Sequence, residues 1–171
     1  MKRLLVIAVL LMSVAAGLLL YAYFAGAPPD ESKLTANFFS HQAVYEQLRQ
    51  MLIADQTLRR VTLSAVETSQ FTTPQTPPNG LPVERYQEYL RLLKEISAEG
   101  AIRADGASPE SICIAQWGSG FGGDSRHVEI CWMRDNPSPQ VNSLKDFYRS
   151  PKPRRPSFIK LKDQWYISPD W

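Results

Sequence analysis

The residues able to do chemistry gather between positions 113 and 131: Cys113, Cys131, His127 with Asp124 and Ser125 close before it, and the glycine run GSGFGGDS over 118–125. Through Gly118, Gly120 and Gly123 the run matches G-x-G-x-x-G, the letters of a dinucleotide-binding loop. Such a loop works because a helix follows it and offers its amides and positive dipole end to a pyrophosphate. Here RHVEICW follows, β-rich and alternating in character. No helix dipole stands behind the glycines, so the run is expected to be a hairpin tip in which glycine permits positive φ. No nucleotide and no other cofactor is expected.

A hairpin centred near Phe121 and Gly122 sets Ile112 opposite Trp132, Ile114 opposite Ile130 and Gln116 opposite Val128, a mostly apolar face. The same register sets Cys113 directly across from Cys131 on the other face, where opposed Cβ atoms approach within about 4.5–5.5 Å. In an oxidising compartment such a pair is best read as a disulfide, with two reduced buried thiols or an off-register pair as the alternative. A zinc site built from His127, Glu129, Cys131 and Cys113 is disfavoured, because His127 and Cys131 are separated by roughly 13 Å of strand.

Asp124, Ser125 and His127 could in principle supply an acid, a nucleophile and a base. A nucleophile must be held against a base that a third group orients, and a glycine-rich loop offers little rigidity for that. There is no G-x-S-x-G and no H-E-x-x-H. Catalysis is therefore not expected, and a small hydrolase using His127 with Ser125 or Asp124 is the alternative reading.

Near the C-terminus Lys152, Arg154, Arg155, Lys160 and Lys162 interleave with aromatics, Trp165 among them. Such a patch suits anionic headgroups, an acidic polymer or an acidic protein partner. The plainer reading is a solvated proline-rich loop leading into an edge hairpin whose lysines discourage strand addition. Trp117, Trp132 and Trp165 are expected to pack in the core or on the sheet.

The elements that must position these residues begin with a long apolar segment. After Lys2 and Arg3 the next charge is Asp30, and Leu4 to Phe24 is 21 residues, roughly 31 Å of helix against a hydrocarbon core of about 30 Å. This reads as an uncleaved transmembrane anchor. A cleaved signal peptide competes through Ala25-Gly26-Ala27, although its apolar region is usually shorter. Lys2 and Arg3 keep positions 1–3 cytoplasmic by the positive-inside tendency, with everything after the anchor translocated. Nineteen basic residues less these two leaves 17 against 17 acidic ones, so the exported part is formally neutral and nucleic acid is not an expected partner.

Residues 25–36 read as a stalk and 37–171 as one extracytoplasmic domain of ordinary size. Val44, Leu48, Met51 and Leu52 predict a helix over 40–54, capped by Ser40 or Asn37, and Val61, Leu63 and Ala65 predict a strand. A Thr- and Pro-rich surface loop is expected over 67–80. Tyr86, Leu90, Leu93 and Ile96 or Ser97 face inward on a second helix from Pro82 to Ala98 that Gly100 stops. A short strand over 101–103, strands in SICIAQW and HVEICWM, a helical turn over 142–146 and a C-terminal hairpin of FIKL and WYI complete the chain. Helices and antiparallel strands without β-α-β alternation give an α+β fold, a mainly antiparallel sheet against two helices behind an N-terminal transmembrane helix.

The order FFSHQAVYEQLRQML, GLPVERYQEYLRLLKE, a hairpin with a glycine-serine tip, NSLKDF and a closing LKDQWYI resembles a group of small, uncharacterised bacterial envelope proteins, many of them lipoproteins. The resemblance implies an α+β domain at the envelope and carries no active site. This chain has no cysteine near the end of its apolar segment to acylate. The expectation is thus a single-pass protein of the bacterial inner membrane whose domain, on the periplasmic or outer side, binds an envelope or protein partner.

Overall fold

The computed structural model describes residues 28–68, 81–104, 111–119, 126–149 and 157–170, together with Ser13. Apart from Ser13, Leu4–Phe24 lies outside the described residues, as do the tip residues 120–125 and the basic positions Lys152, Arg154 and Arg155. Among those described, no helix is long and apolar enough to cross a membrane.

The packed part starts within the stretch expected to be a stalk. Asp30 caps helix α1 (Glu31–Ser40), its Oδ1 accepting from the Ser32 amide at 2.9 Å, which satisfies one of the donors a helix start leaves open. Leu34 and Phe38, one turn apart, are the two side chains α1 buries. At His41 the backbone leaves helical geometry, and α2 (Gln42–Ala54) follows at once. The predicted helix over 40–54 is thus the second of a pair. Phe38, Tyr45 and Trp165 form an aromatic knot, with ring centroids 5.2–6.0 Å apart.

The Val61, Leu63, Ala65 alternation does not make one strand. Strand β1 (Leu58–Thr62) turns back into β2 (Val66–Thr68), with the Thr62 Oγ1 accepting from the Ala65 amide at 3.0 Å and Leu63 left exposed on the turn. Helix α3 (Val83–Glu95) buries Tyr86, Tyr89, Leu92 and Leu93. Ser97, with φ 53°, takes the left-handed position after it. The Ser97 amide donates to Lys94 O at 3.1 Å and the Ala98 amide to Leu93 O at 2.8 Å, the paired bonds of a Schellman stop. Gly100, the expected stop, opens strand β3 (Gly100–Ala104) instead.

Strands β4 (Ser111–Ser119) and β5 (Arg126–Trp132), the short helix α4 (Leu144–Arg149), and β6 (Ile159–Lys162) with β7 (Trp165–Asp170) complete the molecule. The seven strands form one antiparallel sheet in the order β2-β1-β3-β4-β5-β7-β6. The fold is α+β, as the mixed pattern implied. One face of the sheet carries Val61, Ala101, Ile112, Ile114, Val128, Ile130 and Ile167 and is packed into the main core with the buried sides of α1, α2 and α3.

Two polar clusters pin the helices. Asn37 Nδ2 donates to Ile96 O at 2.8 Å, while Tyr45 Oη donates to Gln116 Oε1 at 3.2 Å, so α1, α2, the end of α3 and β4 meet at one buried node. At the far end of α2, Asp55 accepts from Tyr89 Oη at 2.8 Å and from Arg85 Nε at 2.9 Å. Burial, first, and the neighbouring Asp55 carboxylate raise the Tyr89 phenol above its ordinary range, so it stays a donor at every physiological pH.

Candidate functional site

The other face of the sheet carries the residues singled out for chemistry. Its strand register is as expected through the lower half of the β4–β5 hairpin: Ile112 pairs with Trp132, Cys113 with Cys131 and Ile114 with Ile130. Cys113 and Cys131 form a disulfide, with Cα atoms 4.0 Å apart, and both are buried. Above Ala115 the register slips by one. Trp117, not Gln116, pairs with Val128, because a bulge sets Gln116 and Trp117 together against one residue of β5. The extra residue lets Gln116 reach Tyr45 while Gly118 comes opposite His127.

Reading across the strands, Arg60, Ile102, Cys113, Cys131 and Tyr166 form one row of this outer face. Thr62, Gly100, Ala115, Glu129 and Ser168 form the next, and Gly118, His127 and Asp170 a third. Gly100, Ala115 and Gly118 leave the middle of the face without bulk. The result is an open cleft of about 410 Å³ lined by Arg60, Glu99, Gly118, His127 and Glu129, with Ser64 at its edge. Gly118 matters for its shape: a Cβ there would stand 3.1 Å from His127 Nδ1 and 3.4 Å from Glu99 Oε2. Both polar groups therefore lie over the glycine.

Glu129 is the unusual group. Burial, only partly offset by Arg60 and reinforced by Asp170, pushes its carboxyl up to about 7, so near neutral pH it carries a proton about half the time. Arg60 approaches Glu67 at 3.9 Å, and its Nε is buried without a hydrogen-bond partner among the described residues. The cleft thus offers one guanidinium against Glu99 and a carboxyl poised to gain or lose a proton.

His127 and Glu129 lie two residues apart on one face of β5, about 6.5 Å between their Cα atoms. The Asp124 and Ser125 partners suggested for His127 lie outside the described residues. Zinc fits this cluster poorly. Cys113, Cys131 and Glu129 bring their ligand atoms within 4.8 Å of one another, yet with the sulfurs joined neither is a thiolate.

Among the described residues of the basic and aromatic C-terminal group, Lys160, Lys162 and Trp165 do not share one surface. Trp165 is buried at 4 % exposure under α1 and α2, which removes it from any exposed platform, and Trp117 and Trp132 are half-buried against the same core. Lys160 lies on the outer face, its Nζ donating to Tyr166 Oη at 2.8 Å. Lys162 instead reaches Gln42 of α2 at 3.3 Å. Alternation alone would set Lys160 and Lys162 on one face; the bulge between them against β7 sends the two lysines apart.

The cleft residues Arg60, Glu99, Gly118 and Glu129 were not assembled from the sequence as a site, since they come from four separate segments. Two signals were present: a glycine at the end of a strand pattern, which marks a close approach, and a carboxylate between apolar neighbours in HVEIC. Comparison of the chain with protein families, with curated proteins and with solved structures finds no match.

Proposed function

We propose that the chain is a membrane-tethered, extracytoplasmic binding or accessory domain of a bacterial envelope, and that it engages a protein or envelope partner through the outer-face cleft. The observation that carries this reading is the Cys113–Cys131 disulfide closed across the floor of that face. Such a bridge persists in oxidising compartments and is rare in the cytosol. Tethering supports the same role, because the apolar N-terminal segment would hold the domain near partners at the membrane and raise their effective concentration.

The cleft supports binding by its chemistry. Its floor of Gly100, Ala115 and Gly118 admits a side chain of the partner, and Glu99 with the ionised form of Glu129 favours a basic one. A photoreactive residue at Ser64, an exposed position on the β1–β2 turn at the cleft edge, is expected to capture a discrete product in intact membranes, whereas the same residue at exposed Lys94 on α3 gives none. Equal labelling from both positions, or recovery of the intact chain in the soluble cytosolic fraction, removes the proposal.

A hydrolase is the second reading, favoured by His127 and Glu129 lining one cleft. It predicts labelling by a fluorophosphonate that Ser125→Ala and His127→Ala both abolish. An unlabelled native chain disposes of a serine-based version.

A further inference from the structure

What keeps a metal ion from the Cys113, Cys131 and Glu129 cluster is the bridge itself, since a joined sulfur is not a thiolate. We propose that reduction of the bridge turns these three residues into a binding site for one thiophilic divalent cation of the zinc type, so that disulfide and metal are alternative states of the same side chains. The ligand atoms of the three residues lie within 4.8 Å of one another with the bridge closed. His127, four residues before Cys131 on β5, takes no part.

The distances suit a tetrahedral ion. With metal–sulfur bonds near 2.3 Å and metal–oxygen bonds near 2.1 Å, the edges of the tetrahedron are about 3.8 Å between two sulfurs and about 3.6 Å between sulfur and oxygen. Glu129 Oε2 stands 3.7 Å from Cys131 Sγ, which is the sulfur–oxygen edge. Cleavage lets the two sulfurs part to non-bonded contact, roughly 3.5–4 Å, which is the sulfur–sulfur edge. The ladder holds them there: Cys113 and Cys131 are directly opposed in the β4–β5 pair, and Cys131 pairs on its other side with Tyr166 of β7. Their spacing is thus kept by backbone hydrogen bonds that reduction leaves intact.

Glu129 also lines the outer-face cleft, from which water reaches the fourth position of the ion. Two thiolates and a carboxylate leave one negative charge on a complex with a divalent cation. Arg60 stands in the row of Cys113 and close enough to Glu129 to act on its charge, which offsets that excess. Magnesium and calcium take six or more oxygens, a shell that two sulfurs and one carboxylate do not supply, whereas thiolate selects a softer ion.

A dithiol reductant passes two electrons and two protons to the bridge and becomes a disulfide itself, leaving Cys113 and Cys131 as thiols. The cation then displaces both thiol protons, and that of Glu129 where the carboxyl carries one. An oxidised disulfide of the same class takes the two electrons back, closes the bridge and releases the ion. The inference does not rest on the partner-binding reading, which the crosslink from Ser64 tests separately.

The test uses the full chain in an uncharged maltoside detergent. A phosphine opens the bridge, taking an oxygen atom from water as it is oxidised; its excess is removed anaerobically and the chain is titrated with Co²⁺ and then Zn²⁺. A single Co²⁺ per chain, with a thiolate-to-cobalt charge-transfer band and the strong visible absorption of a tetrahedral ion, is expected after reduction and not before it, and Zn²⁺ is expected to displace it. Glu129→Gln, which keeps both sulfurs and removes the anionic oxygen, is expected to weaken Co²⁺ binding by about tenfold or more. Where reduction alone unfolds the domain, return of the native circular dichroism on adding Zn²⁺ supports the site, and its failure to return overturns it. A reduced, folded chain without the charge-transfer band, or an affinity unchanged by Glu129→Gln, overturns it as well.

Discussion

The Oε2 atom of Glu129 lies 3.7 Å from Sγ of Cys131. A sulfur already bonded to Cys113 has no proton to donate, so the carboxyl faces the bridge as an apolar neighbour and receives no hydrogen bond from it. The bridge therefore adds to the burial that holds Glu129 near 7, and the disulfide and the acid behave as one unit.

That pairing fixes a pH dependence. Glu129 binds its proton more tightly folded than unfolded, where a carboxyl titrates near about 4.3, so in this window the native state holds more protons and stability falls as pH rises. Stability is lost progressively from about pH 4 to 7, and above that range the penalty for ionising the buried carboxyl is roughly 3–4 kcal/mol. Glu129→Gln is expected to flatten this part of the profile and to raise stability at pH 8, as read by thermal unfolding of the full chain in detergent between pH 5 and 8. An unchanged profile contradicts the assignment.

Replacing both Cys113 and Cys131 by alanine opens a loop of sequence separation 18 and is expected to cost about 3 kcal/mol, the usual entropy of such a closure. Denaturant unfolding with and without the substitutions measures it. In intact cells a thiol-blocking mobility assay is expected to leave both cysteines unmodified until a reductant is added.

The two glycines of the cleft are expected to respond differently to alanine. At Gly100 the new Cβ would stand 2.7 Å from the backbone oxygen of Val61; backbone must move, at a cost of roughly 1–3 kcal/mol. At Gly118 it meets the ends of the His127 and Glu99 side chains, which can swing away. Gly118→Ala should therefore leave the melting temperature within a few degrees of native while reducing crosslinking from Ser64.

Tyr89→Phe removes one donor from Asp55 and is expected to cost about 1 kcal/mol, whereas Asp55→Ala strands the buried phenol, leaves Arg85 with Glu88 alone, and costs roughly 1–3 kcal/mol. Because the residues share one carboxylate, the double variant should cost less than the sum of the two. Additive losses would mean that the three groups do not act together.

What could be read from the sequence followed the periodicity of side chains. Cys113 and Cys131 were legible as a pair because the alternation of Ile112, Ile114, Ile130 and Trp132 sets the register on its own. The bulge at Gln116 and Trp117 was not, since alternation continues on either side of one extra residue and only the contact with Tyr45 requires it. Helix α1 escaped notice because its apolar face is two residues, Leu34 and Phe38, that gain their partners from Tyr45 and Trp165. The helix stop was assigned to Gly100 by residue type, while Ser97 adopts the left-handed conformation under the force of two backbone bonds. The cleft was hidden for the same reason as most sites on sheets: its rows run across strands, at right angles to the chain.

The last strand of the chain, β7, is hydrogen-bonded on both sides, between β5 and β6. Without β7, the sheet exposes an open edge at β5, and Phe38 and Tyr45 lack their indole lid. Closure of the sheet is thus carried by the β6–β7 hairpin, whose loss would leave that edge free to recruit a strand from a neighbouring molecule.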